Sequence, residues 1–148
     1  GQPTAAASPQ PSSIAPPTAV PTSAGGGGAG IEIQDIFFNG DINPEEPDEY
    51  VLLRNSIDST VDLGGWRLIS VNPSGVNNQE FRFPAGAAMG AGQSCRVYTN
   101  QQHPEHCGFS WASTQAVWRN AGDKAELRDA GGALVDQFCY GDRLADCP

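Results

Sequence analysis

The first thirty residues carry no charged side chain, and their only branched apolar residues are Ile14 and Val20. A segment so poor in apolar surface cannot offset the entropy of ordering itself, so residues 1–30 are read as a disordered low-complexity linker. Six of the twelve prolines fall there and four consecutive glycines at 25–28 close it, the composition of a partly extended spacer with a flexible joint. No window of the chain approaches the roughly 18–20 consecutive apolar residues of a membrane-spanning helix. No basic segment followed by an apolar one marks a secretion signal either, so any such signal is expected to have been removed.

Other scarcities exclude kinds of chemistry. The two histidines sit in one loop and no G-x-S-x-G elbow accompanies them, which leaves a serine hydrolase without its parts. No G-K-[ST] follows the glycine run, so a phosphate-binding loop is missing, and no cofactor is expected. Paired carboxylates for sugar hydrolysis would need a cleft to flank, which a small, tightly turned domain does not offer. The chain is therefore expected not to be an enzyme. Basic residues number 8 against 17 acidic ones, all of them beyond residue 30, and the net charge of −9 repels a polyphosphate backbone. Non-specific nucleic-acid binding is disfavoured.

What is present lies in residues 31–148, a length that supports one hydrophobic core and a domain monomeric in isolation. Apolar residues recur there at spacing two, interrupted by Gly, Pro and Asn clusters about every ten residues, the pattern of an all-β sandwich. The first strand is expected over 31–37, with Ile31 and Ile33 inward, then Ile36 or Phe37 after a bulge or a change of sheet. In the next strand, over 49–54, Val51 and Leu53 face the core, and Leu52 breaks the polar character of the outward face. Gly64-Gly65 turns the chain into a strand led by Trp66, whose indole is expected to be buried near the middle of the sandwich. Phe81 and Phe83 bracket Arg82 before Pro84 ends the ladder. Cys95, Val97 and Thr99 alternate with Arg96 and Tyr98, and Ala125 and Leu127 repeat the period. A glycine turn within 129–133 then leads to a last strand over 134–140.

Six segments in order carry a resemblance: E-Y-V-L-L-R-N at 49–55, V-D-L-G-G-W-R-L at 61–68, F-R-F-P-A-G at 81–86, A-G-Q-S-C-R-V-Y-T at 91–99, V-W-R-N-A-G-D-K-A-E-L-R-D at 117–129 and G-G-A-L-V-D-Q-F-C-Y-G at 131–141. Together they resemble the lamin tail domain family over nearly all of residues 31–140. The resemblance implies an immunoglobulin-like antiparallel β-sandwich of about seven strands, in agreement with the strands counted above. It also implies a non-catalytic add-on module of the kind found on nuclear-lamina filaments in animals and beside secreted or membrane-associated hydrolases in bacteria. The filament itself does not carry over, because the chain has no sustained heptads.

Four cysteines behind a leader of surface-protein composition fit two disulfides and an oxidising compartment. The shortest loops come from joining Cys95 to Cys107 and Cys139 to Cys147; a Cys107–Cys139 pairing competes if the strands that carry them are neighbours. His103, His106 and Cys107 invite a zinc reading, but no further histidine and no Cys-x-x-Cys completes the ligand set. The acidic stretch 41–49 offers Asp41, Glu45, Glu46 and Asp48 as weak calcium candidates. Pro44, Pro47 and the missing D-x-[DN]-x-[DN]-G order favour a solvated turn, so no metal is expected.

The surface expected to make contacts comprises Leu52, His103, His106, Phe109 and Trp111, with Phe37 and Phe38 as further aromatics beside turns. The function expected is protein or cell-surface contact by a secreted or surface-borne bacterial module. The alternative is a domain that targets carbohydrate or nucleic acid for a neighbouring hydrolase or nuclease.

Overall fold

The computed structural model describes residues 30–147, so the linker assigned to residues 1–30 lies, Gly30 excepted, outside the described residues. Seven strands of four or more residues form the frame: β1 (Ile31–Phe37), β2 (Tyr50–Asn55), β4 (Arg67–Ser70), β5 (Gln79–Arg82), β7 (Ser94–Tyr98), β9 (Gly122–Arg128) and β10 (Leu134–Gly141). Three two-residue strands, β3 (Val61–Asp62), β6 (Ala88–Met89) and β8 (Phe109–Ser110), complete it. One sheet runs in the order β1-β2-β7-β8, the second in the order β10-β9-β4-β5, and β3 and β6 pair separately. This is the β-sandwich that the alternation predicts, with the immunoglobulin-like architecture that the resemblance implies.

The pairing is antiparallel with one exception. β8 lies parallel to β7, with Val97 opposite Phe109 and Tyr98 opposite Ser110. The chain leaves β7, makes a 3-10 turn at Pro104–His106, and is tied back near the start of β7 by the Cys95–Cys107 disulfide, from where β8 runs in the same direction as β7. A second disulfide joins Cys139 of β10 to Cys147. Closing loops of this size stabilises by roughly 2–3 kcal/mol each through restriction of the unfolded chain.

Residues at alternate positions of β2, β7 and β9 meet between the sheets: Val51, Leu53, Cys95, Val97, Ala125 and Leu127 are all fully buried. Each Val or Leu buried in this way contributes on the order of 1.5–3 kcal/mol. Trp66 is buried, but it precedes β4 rather than belonging to it, because Gly65 turns the chain with φ +79° just before. Trp118, in the segment leading to β9, lies deeper than Trp66 and stacks edge-on against Trp111 at 5.9 Å. Phe81 is half-buried, whereas Phe83 is fully enclosed.

In β1 the register with β2 shifts between Ile33 and Asp35. This bulge reverses the parity of the strand, so Ile36 joins Ile31 and Ile33 in the core and Phe37 turns outward opposite Tyr50. Without it, strict alternation from Ile33 would bring Asp35 inward and Ile36 out.

If the core is as described, Leu127→Ala will destabilise the domain by about 2–5 kcal/mol, and Leu144→Ala, at an exposed site, will change stability by no more than about 0.5 kcal/mol. Urea unfolding of the two variants checks the contrast; equal losses would contradict the assignment.

Candidate functional site

The outer face of the β1-β2-β7 sheet is built by the same alternation that fills the core. Tyr50, Leu52 and Arg54 point away from the core, and register sets them opposite Tyr98, Arg96 and Ser94 of β7. Phe37, turned out by the bulge, adds a third column. Its ring centroid lies 5.4 Å from that of Tyr50, which is 5.3 Å from that of Tyr98. The Arg96 guanidinium sits 4.2 Å above the Tyr50 ring and donates to the Tyr98 hydroxyl at 2.8 Å. Arg96 is thus held flat on an aromatic surface by a cation–π contact and a hydrogen bond together.

The loop after β7 extends this face. The His103 ring packs 4.3 Å from that of Tyr98, with Nδ1 3.2 Å from Glu105 Oε2 and Nε2 2.7 Å from Gln101 Oε1. His106 is the next ring along, 6.3 Å from His103. The residues expected to form one contact surface therefore separate. Leu52 and His103 belong to this face, while Phe109 and Trp111 lie at the opposite side of β7. There Phe109 packs against Phe83 at 5.0 Å and Trp111 against Trp118. No local sequence signal singles out Tyr50, Arg96 and Tyr98 as contact residues. Their outward parity was readable, and their mutual contact was not.

The acidic stretch is less solvated than expected. Asp48 turns its carboxylate onto the backbone of its own loop, accepting from Asp41 N at 2.7 Å and Ile42 N at 3.3 Å, and Glu46 Oε1 accepts from Gly40 N at 2.8 Å. Glu46 is buried in doing so, whereas Asp41 and Glu45 are exposed. Among the described residues no three His, Cys, Asp or Glu side chains converge as a metal site. The Cys107 sulfur is bonded to Cys95 and so is not a thiolate ligand.

Glu49, at the end of the stretch, is fully buried. Its Oε1 accepts from Thr99 Oγ1 at 2.8 Å, Val117 N at 2.8 Å and Trp118 N at 3.3 Å, so one oxygen joins the start of β2, the end of β7 and the segment that carries Trp118. Burial pushes this carboxyl up from 4.5 to about 7, against the opposing pull of those three hydrogen bonds.

A second buried carboxylate, Asp123, stands beside a cavity of about 250 Å³ that Asn72, Asn77, Gln79 and Arg119 also line. Its oxygens accept from Ser70 Oγ, Arg119 N and Lys124 N, and burial raises its pKa. The carboxylate is thus spent on holding the chain together. Among the described residues no helix is long and apolar enough to cross a membrane.

Two four-stranded sheets packed face to face define an immunoglobulin-like β-sandwich. The family model of the lamin tail domain matches residues 26–142, and the chain belongs to that family, one of non-catalytic immunoglobulin-like domains. A comparison with curated proteins gives no match.

The raised Glu49 carboxyl generates a pH dependence. The folded domain holds this proton more tightly than the unfolded chain, so the contribution of Glu49 to stability falls as pH rises from about 4.5 to about 7 and is level above that. Subtracting the melting profile of Glu49→Gln from that of the parent isolates the effect, since Asp123 titrates in both. A difference that declines across this window is expected, and a flat difference would show that Glu49 does not titrate there.

Proposed function

We propose that this domain is a non-catalytic interaction module, borne at a bacterial surface or in a secreted protein, that makes protein or cell-surface contacts through the outer face of β1-β2-β7. The observation that carries the proposal is the ordered set of half-buried Phe37, Tyr50 and Arg96 on the outer sheet face, held in fixed geometry over the buried Tyr98. Tyr and Arg are the residue types that dominate interface energetics, and side chains already ordered lose little entropy on docking. In this reading the contact domain spans residues 31–148 and residues 1–30 serve as its tether. Two disulfides support an oxidising, extracellular setting. The net charge of −9 favours a protein partner over nucleic acid, and the domain is a monomer when dilute.

The targeting of carbohydrate for a neighbouring hydrolase is the second reading. It draws on the polar cavity of Asn72, Asn77, Gln79 and Arg119, whose amides and guanidinium could bind hydroxyl groups.

Arrays of glycans and of duplex DNA at low salt separate the two readings, with flat responses expected on both. A photoreactive group placed at position 52 of the full parent protein on cells should give protein adducts that the same group at exposed position 76 does not. Arg96→Ala should weaken those contacts by about 2 kcal/mol, roughly thirtyfold. A saturable glycan response lost with Asn77→Ala would replace the first reading with the second.

A further inference from the structure

Three of the sandwich's four sheet edges are short or covered. β1 and β10 lie against one another, with Asp136 Oδ2 accepting from Ile33 N at 2.8 Å, and β8 is two residues long. The fourth edge is β5, the last strand in its sheet. Phe83 directs its backbone toward β4, donating to Trp66 O at 2.8 Å and accepting from Gly65 N at 3.0 Å. Alternate residues of an antiparallel strand address opposite sides. Phe81 therefore also faces β4, and the N–H and C=O groups of Glu80 and Arg82 point away from the sheet. Among the described residues those outward groups have no backbone partner, and both residues are exposed.

The side chains of this edge are ordered in charge as well. Glu80 is acidic and Arg82 basic, with Phe81 between them on the inward side. An antiparallel pairing of β5 with a second β5, centred on Phe81, places each Glu80 opposite Arg82 of the other copy. The residues whose backbone groups point outward then become the hydrogen-bonded pairs, and the two Phe81 residues meet at the closer, non-hydrogen-bonded position. Each cross-strand pair on the outer face joins opposite charges, which is stabilising. Registers centred on Glu80 or Arg82 set like charges face to face. Within its own sheet Arg82 is opposite Arg67, whose guanidinium is 3.5 Å from Glu80, and Arg82 forms no ion pair among the described residues. A Glu80 from a second copy supplies the countercharge that Arg82 lacks.

We infer that two copies of this domain pair edge to edge through β5, in the symmetric register centred on Phe81. The contact is isologous and closes on itself, so it makes dimers and not filaments. It is small, with two hydrogen-bonded residue pairs, and operates where copies are concentrated, as on a crowded surface. The inference stands apart from the function proposed for the β1-β2-β7 face, which lies on the other sheet and stays open in such a pair.

The test is a concentration series on the isotopically labelled parent chain, from dilute to millimolar, read by amide resonances and by sedimentation mass. The amides of Glu80 and Arg82 are expected to shift and gain protection from exchange as the mean mass rises above 15.5 kDa. Arg82→Glu should keep the monomeric mass at every concentration, and the double variant Glu80→Arg, Arg82→Glu should recover association, because it restores opposite charges across the pair. Invariant Glu80 and Arg82 amides up to the solubility limit overturn the inference. So does a folded double variant that stays monomeric, or association by Arg82→Glu equal to that of the parent. Amide spectra that retain the β4–β5 ladder verify the fold of each variant.

Discussion

The parity of three neighbouring strands is the constraint on which the rest of the molecule depends. Successive side chains in a strand face opposite ways, so fixing Val51 and Leu53 in the core fixes Tyr50 and Leu52 outside it. The β2–β7 register then aligns Tyr50 with Tyr98 and Leu52 with Arg96. β1 would break this order if it were regular. The bulge after Ile33 corrects it, sending Ile36 inward and Phe37 outward, so that core and outer face are filled by a single register choice. A slip of one residue in β2 would bury Arg54 and expose Leu53, which is why the pairing is strongly specified.

Connections between the strands are held by groups that do two jobs each. Glu49 enters β2 and at the same time binds the backbone before β9 through Val117 and Trp118. Burying a carboxylate is costly, and its shared oxygen offsets part of the cost by satisfying two backbone donors and a hydroxyl that would otherwise be orphaned. Asn55 acts likewise at the far end of β2, donating from one amide to the carbonyls of Ser59, Met89 and Gly90. The Cys95–Cys107 link anchors the His103 loop to β7, which is how a loop residue comes to rest on the Tyr98 ring.

Much of the frame was legible in the sequence because it depends on period-two patterning and on turn residues, both local. The strands carrying Val51, Leu53, Cys95, Val97, Ala125 and Leu127 follow from alternation alone, and the family resemblance, shown by the match over residues 26–142, specifies the same sandwich. Long-range facts were not legible. Trp118 lies in a segment with no strand period, so nothing local marks it as more deeply buried than Trp66. Glu49 reads as one more charge in an acidic run, and only the approach of residues 117 and 118 turns it into a buried acceptor. The parallel entry of β8 depends on a disulfide and a turn acting together. The division of Leu52 and His103 from Phe109 and Trp111 depends on which side of β7 each loop passes, a property of topology.

The claim that matters most is that parity builds a face meant for contact. Hydroxyl-radical footprinting of Phe37, Tyr50 and Leu52 measures it directly, comparing the full parent protein on intact cells with the purified domain. Lower labelling of these three side chains on cells is expected, with exposed Val76 and Leu144 labelled equally in both. Equal labelling of Phe37, Tyr50 and Leu52 in the two settings would contradict the claim.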